Sequence, residues 1–201
     1  MRKLWHMSMG LLSANIYHNG MSRPVGVAIL TQLFLAFSLL EWARLNIPLI
    51  NDWTMKFWGP IMRTNEVRHV SGMPWYIGSI AVSVAVFPKS IAIMTMLYLA
   101  FGDPLASVFG ILYGSLGPKI KSGKSLIGTL AGTLVCFLIA LMIFASLPLS
   151  SSAYFGLCAI SAVSGGCAEL LPLDVDDNFS IPLVSGFITW LAFIVLGVVA
   201  A

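Results

Sequence analysis

Seven predominantly apolar stretches recur along the chain, at residues 4–19, 24–44, 72–88, 90–115, 125–148, 153–170 and 180–200. Each is near the length of one bilayer crossing, roughly 20 helical residues. The first is the most interrupted, by His6, Ser13, Asn15 and His18. The fourth carries Gly102-Asp103-Pro104 in its middle, and Pro104 predicts a broken helix there because it lacks a backbone donor. Leu45 to Ser71, between the second and third stretches, mixes Trp53, Phe57 and Trp58 with Lys56, Arg63, Glu66 and Arg68. That mixture predicts an amphipathic piece at the membrane interface. No repeat or linker divides the pattern, so residues 1–201 are expected to form a single domain. The predicted fold is all-α, a polytopic transmembrane helical bundle of about seven spans.

Composition closes off the alternatives. Of 201 residues, 58% are apolar and 9% charged, against roughly a quarter charged in a soluble domain. Mean hydropathy is +0.92. A soluble enzyme and a disordered chain are both excluded. Cys136, Cys158 and Cys167 lie in apolar segments without metal-ligand or disulfide spacing, and read as small buried hydrophobes. Arg2-Lys3 precedes too weak an apolar run for a cleavable signal, so none is expected.

Charge sets orientation. With the N-terminus inside, the inner segments hold Arg2, Lys3, Arg44, Lys56, Arg63, Arg68, Lys119, Lys121 and Lys124, and the outer loops only Arg23 and Lys89. Nine against two follows the positive-inside pattern. It predicts a cytoplasmic N-terminus, an outer C-terminus and a site facing the cytoplasm, in a cell inner membrane or an ER-type membrane. The net charge of +3 sits in short loops, and no nucleic-acid partner is implied.

The same charges suggest chemistry. A carboxylate within a span costs about 2.5–3.5 kcal/mol on insertion scales and is usually paired, hydrated or cation-bound. Asp103 is therefore a candidate site residue, or a cap on the half-helix that follows. Gly102, Ala106, Gly110 and Gly114 form a small-residue face with Ser107 nearby, and Gly128 and Gly132 repeat the spacing. Such faces serve helix packing, within one chain or in a homodimer, or form a smooth wall for phosphates. Lys119, Lys121 and Lys124 in GPKIKSGKS act either as orientation anchors or as a triphosphate clamp assisted by Ser125. The spacing is not that of a P-loop, and no strand precedes it. Glu169, Asp174, Asp176, Asp177 and Asn178 offer hard oxygen ligands suited to Mg²⁺, or a solvated acidic turn. Arg2, Lys3 and His6 share the N-terminal end of the first stretch, His6 on the same helical side as Arg2 or Lys3, where the two cations also serve as orientation anchors. Arg63, Glu66 and either Arg68 or His69 form a second cluster or an ordinary surface ion pair.

These residues resemble a known family. Arg2-Lys3-Leu4-Trp5-His6, then EVRHVSGMPWYIG, FGDPLASVFGILYG, Lys124-Ser125-Leu126-Ile127-Gly128-Thr129 and AELLPLDVDDNFSIPL are similar to motifs of the dolichol kinase, phytol kinase and CTP-dependent diacylglycerol kinase family. That family of small polytopic lipid kinases is related to phosphatidate cytidylyltransferases. Ile127 stands where the family often has an acidic residue, and the cytidylyltransferase signature is absent. The resemblance implies transfer of a γ-phosphate from CTP, or ATP, to the hydroxyl of a polyprenol-, phytol- or diacylglycerol-like membrane lipid, with Mg²⁺. It implies catalytic roles for Asp103, Lys124, Glu66 and His6. Nucleotide contacts would come from Arg2, Lys3, Gly102, Ser107, Gly110, Gly114, Lys119, Lys121, Ser125, Gly128 and Thr129. Metal ligands would be Asp103, Glu169, Asp176, Asp177 and Asn178. A nucleotidyl transferase or a small transporter remains as the alternative class.

Overall fold

Segments that are apolar on every side bury themselves against one another or face lipid, and in this computed structural model each of the seven stretches is a helix. The structure describes residues 2–120, 123–171 and 175–198, without the side chains of Arg2 and Asn65. The helices are α1 (Arg2–Gly20), α2 (Arg23–Asn46), α3 (Pro48–Trp58), α4 (Gly72–Val86), α5 (Lys89–Leu97), α6 (Asp103–Tyr113), α7 (Leu126–Ile143), α8 (Ser151–Ala168) and α9 (Asp177–Val195).

The expected break at Gly102-Pro104 takes another form. α5 and α6 belong to one continuous helix, Lys89–Leu116, joined by a π-helical turn over Tyr98–Gly102. The Asp103 N–H donates to Tyr98 O, five residues back. Widening the turn accommodates the donor missing at Pro104 without ending the helix. It also re-aims α6 relative to α5, by about one residue's rotation, roughly 100°.

The expected count of seven spans is met in part. Five helices are long and apolar enough to cross a membrane: α2, the α5–α6 helix, α7, α8 and α9. α4 is apolar but has only 15 residues, ended by the extended Phe87 before Pro88. α1, diluted by polar side chains, does not reach the same hydropathy.

The α5–α6 helix is the pillar of the bundle, with 67% of its apolar window buried. Ile91, Met94 and Tyr98 pack with Phe144, Leu157 and Phe193 of the α7–α8–α9 side. Ala92, Ile93, Met96 and Leu99 pack with Tyr17, Tyr76 and Ile80 of the α1–α4 side. Hydroxyls tie helices within this core: Tyr98 Oη lies 2.8 Å from Ser161 Oγ, and Thr189 Oγ1 donates to Ser161 Oγ at 2.9 Å. Short polar side chains of this kind join helices where water is absent.

α6 and α7 approach closely along the small-residue face. A Cβ on Gly128 would lie 2.6 Å from Ala106 O and 3.0 Å from Gly110 Cα, both backbone atoms. We expect Gly128→Val to force the helices apart and cost about 1–3 kcal/mol, read as a lower unfolding midpoint in detergent.

Both cations expected in the outer loops serve the fold. Arg23 Nη2 donates to Phe87 O at 2.8 Å, at the end of α4. Lys89 Nζ stands 5.2 Å from the centre of the Tyr17 ring. α3 leaves Leu49, Trp53 and Phe57 exposed, four residues apart, which is the stripe an interfacial helix presents to lipid.

Candidate active site

The ends of the helices opposite Arg23 and Lys89 enclose a cavity of about 760 Å³. Its first wall begins at the loop before α7. There Ile120 N–H donates to Lys124 O at 2.7 Å, and Gly123 N–H donates to Ile120 O at 2.8 Å. Gly123 has a φ of 78°, a left-handed conformation that glycine adopts without a Cβ clash. This tight return brings Lys124 and Ser125 to the start of α7, where the Ser125 hydroxyl accepts from Gly128 N–H. Lys124 Nζ reaches Asp177 Oδ2 at 3.0 Å, Glu169 O at 2.9 Å and Glu169 Oε2 at 3.3 Å. Thr129 Oγ1 donates to Glu169 Oε1 at 3.2 Å. One lysine thus gathers the start of α7, the end of α8 and the start of α9.

Burial opposes the charge of Lys124. Hydrogen bonds and the negative charges of Asp177 and Glu169 outweigh that effect, and its pKa lies above the ordinary lysine value. Its charge therefore favours folding fully below the ordinary lysine pKa, and this support fades only as pH rises through the raised one.

A second wall rests on buried charge. Arg44, 1% exposed, forms a two-pronged pair with Glu41 (Nε–Oε1 3.0 Å, Nη2–Oε2 2.6 Å) and donates to His69 O at 2.7 Å. Glu41 also accepts from the Ser71 N–H and hydroxyl at 2.9 and 2.7 Å. Glu66 accepts from Arg63 N–H at 2.7 Å and Gly72 N–H at 3.0 Å. The segment between α3 and α4 is therefore held as a rigid rim. It places Arg63 3.3 Å from Asp176.

Asp103 opens α6 between these walls. Gly102 takes the N-cap position of α6 and Asp103 the first helical position, so Asp103 is not the N-cap residue. It enters no ion pair among the described residues, yet lies within electrostatic reach of Asp177, Glu169, Lys124 and Arg63. On the α1 side, the His6 ring meets Tyr76 edge-on, with centroids 4.7 Å apart, and Lys3 reaches the cavity.

Most of the residues expected at the site do line this cavity: Lys3, His6, Glu66, Asp103, Ser107, Gly110, Gly114, Lys119, Lys124, Ser125, Gly128, Thr129, Glu169, Asp177 and Asn178. Gly102 and Asp176 do not, and Asn178 also ties helices together. Gly102 is buried with Cys136 Sγ 2.8 Å from where its Cβ would be, and serves the packing of α7. Asp176 caps α9 through Asn178 N–H at 2.9 Å besides pairing with Arg63. The Asn178 amide donates to Gly72 O at 3.3 Å, linking α9 to α4. Lys121, Asp174 and the Arg2 side chain lie outside the described residues. Among the described residues no three His, Cys, Asp or Glu side chains form a ready metal cage. Glu169 and Asp177 nonetheless present hard oxygens to one cationic point, which suits a Mg²⁺ held by one or two carboxylates and substrate phosphates.

Sequence reasoning missed Glu41, Thr54 and Tyr76, which also line the cavity. Glu41 had a signal in Arg44, three residues on, whereas Thr54 and Tyr76 had none.

No family model matches the chain, and no solved structure does. It is 30% identical to the CTP-dependent diacylglycerol kinase 1 of Schizosaccharomyces pombe, over 94% of this chain and 91% of that protein. Against the protein of the same name from Saccharomyces cerevisiae it is 28% identical, over 92% of this chain and 70% of the other. A probable phytol kinase 1 of Oryza sativa subsp. japonica is 29% identical, over 92% and 68%. With a relative at that identity and mutual coverage, the chain belongs to the membrane lipid kinase family that includes the CTP-dependent diacylglycerol kinases and the phytol kinases.

Proposed function

We propose that this lipid kinase transfers the γ-phosphate of CTP to the hydroxyl of a membrane lipid at the cavity between α1, α4, α6, α7 and α9. The observation that carries the reading is Asp103: a carboxylate inside an apolar helix, in no ion pair among the described residues, opposite the Lys124–Asp177–Glu169 cluster. CTP is the donor in the names of the fungal relatives.

Phosphoryl transfer needs in-line placement and charge neutralisation more than covalent help from the protein. Lys124, Lys119 and Arg63 would hold the phosphate oxygens, with N–H groups at the start of α7. Glu169 and Asp177 would hold Mg²⁺, which supplies charge neutralisation when bound. The lipid enters sideways from the bilayer with its hydroxyl toward Asp103. A bond forms between the hydroxyl oxygen and the γ-phosphorus while the bond to the β-phosphate oxygen breaks. The hydroxyl proton passes to Asp103, and CDP leaves. Asp176 and Asn178 hold the start of α9, and Glu66 holds the rim that carries Arg63.

The topology that fits is seven crossings with α1 and α4 included, α3 in the interface, and the N-terminus and cavity in the cytoplasm. Nine cations at that end against two at the other support it.

The test uses purified protein in detergent with Mg²⁺, a panel of lipid alcohols, and CTP or ATP labelled at either the α- or γ-phosphate. Lipid labelled only from the γ position of CTP is the expected result. Label from the α position means cytidylyl transfer, and no label from any donor removes both readings.

A further inference from the structure

Two threonines one turn apart on α7 meet α8, and they use their hydroxyls differently. Thr133 keeps its proton inside α7, donating to Thr129 O at 2.9 Å. Thr129, 5% exposed, sends its proton across to Glu169 Oε1 at 3.2 Å. Gly166 permits the approach, because a Cβ there would run into Thr133 Oγ1. Glu169 follows Gly166 and Thr129 precedes Thr133 by about one turn each. The two pairs are therefore successive levels of one antiparallel helix contact.

Glu169 stands where a carboxylate gains little for the fold. It is the C-cap of α8 and its side chain is 11% exposed. The end of a helix carries partial negative charge, which disfavours an anion and favours a cation. Both carboxylate oxygens are nevertheless held in place. Lys124 takes Oε2 and the Glu169 backbone O, and Thr129 takes Oε1. A carboxylate has about four lone-pair sites, so two donors leave others open to a metal ion. The Thr129 hydroxyl has a single proton. Given to Glu169, it is not available to a phosphate oxygen, which only accepts.

We propose that Thr129 is a positioning residue, whose hydroxyl fixes the Glu169 carboxylate as a ligand for the divalent cation and makes no contact of its own with the nucleotide. It rests on the kinase reading above, in which Glu169 helps to hold Mg²⁺. Groups that stand behind a metal ligand in this way typically change metal affinity by about 10–100-fold.

The experiment measures CDP binding to the full chain in detergent by equilibrium dialysis, once in EDTA and once with Mn²⁺. The ratio of the two affinities reports the metal site without turnover. The wild type is expected to bind CDP more tightly with Mn²⁺. In Thr129→Val and Thr129→Ala that ratio should fall by about tenfold or more, while CDP binding in EDTA stays within about twofold of wild type. Thr129→Ser keeps the hydroxyl and should keep the ratio. An unchanged ratio in Thr129→Val and Thr129→Ala would overturn the assignment. Binding in EDTA that falls as far as binding with Mn²⁺ would show that Thr129 holds the nucleotide or the fold, and would also overturn it. So would a Thr129→Ser ratio no better than that of Thr129→Ala, or a wild type indifferent to Mn²⁺. Lipid labelling is read separately. Transfer from γ-labelled CTP alongside any of those results sinks this inference alone. The expected ratios without transfer to any lipid would remove the kinase reading and leave Thr129 as the support of a metal ligand.

Discussion

Asp103→Asn is expected to lower kcat for lipid phosphorylation by about 10²–10⁴-fold, the range that general-base groups supply, with no loss of thermal stability. Both halves come from one geometry. The carboxylate is not at the N-cap of α6 and enters no ion pair among the described residues, so an amide of the same shape breaks no ion pair among them. It also shares the cavity with Asp177 and Glu169, and removing one of three like charges relieves repulsion. An amide cannot take the hydroxyl proton. The measurements are initial rates at saturating CTP and lipid, with unfolding midpoints in the same detergent. Activity within a few-fold of wild type would remove Asp103 from the mechanism. A large loss of stability would mean that it holds the fold.

Arg44→Ala is expected to do the reverse and destabilise the protein by about 3–5 kcal/mol, the cost of leaving one partner of a buried ion pair unpaired. Arg44 is 1% exposed, and its guanidinium joins Glu41 to the carbonyl of His69. Without it Glu41 keeps a buried charge held, among the described residues, by Ser71 alone, and the rim carrying Arg63 and Glu66 loses its post. The double variant Glu41→Gln/Arg44→Met removes both charges and should recover much of the stability, because burying an ion pair gains little over well-packed neutral groups. Unfolding of the single and double variants in one detergent checks this. Equal destabilisation of the two would show that the unpaired charge is not the cause.

The contrast between these residues shows where sequence reading reached its limit. Asp103 was legible because a carboxylate in a long apolar run is expensive and so conspicuous. Lys124 and Glu169 stood out for similar reasons, one in a lysine-rich loop and the other after Gly165-Gly166. Arg44 looked like an orientation anchor, because a cation at the end of a span usually is one. Its true partners include Glu41, three residues earlier, and a carbonyl 25 residues later. The first is legible at helical spacing, but nothing local marks the second. Asp176 and Asn178 read as metal ligands by composition, while their bonds to Arg63 and Gly72 span 113 and 106 residues.

By itself, then, the sequence determined the solvent and the helices. Hydrophobic transfer and the need to satisfy every backbone group within the bilayer act on each segment separately, and can be read one segment at a time. Only the tertiary structure decided that the helix at Pro104 widens into a π turn. It alone also decided which carboxylates Lys124 gathers, and that Arg44 is buried against Glu41 and the carbonyl of His69. Those outcomes depend on which side chains from distant segments meet, and such meetings are set by the packing of all the helices at once.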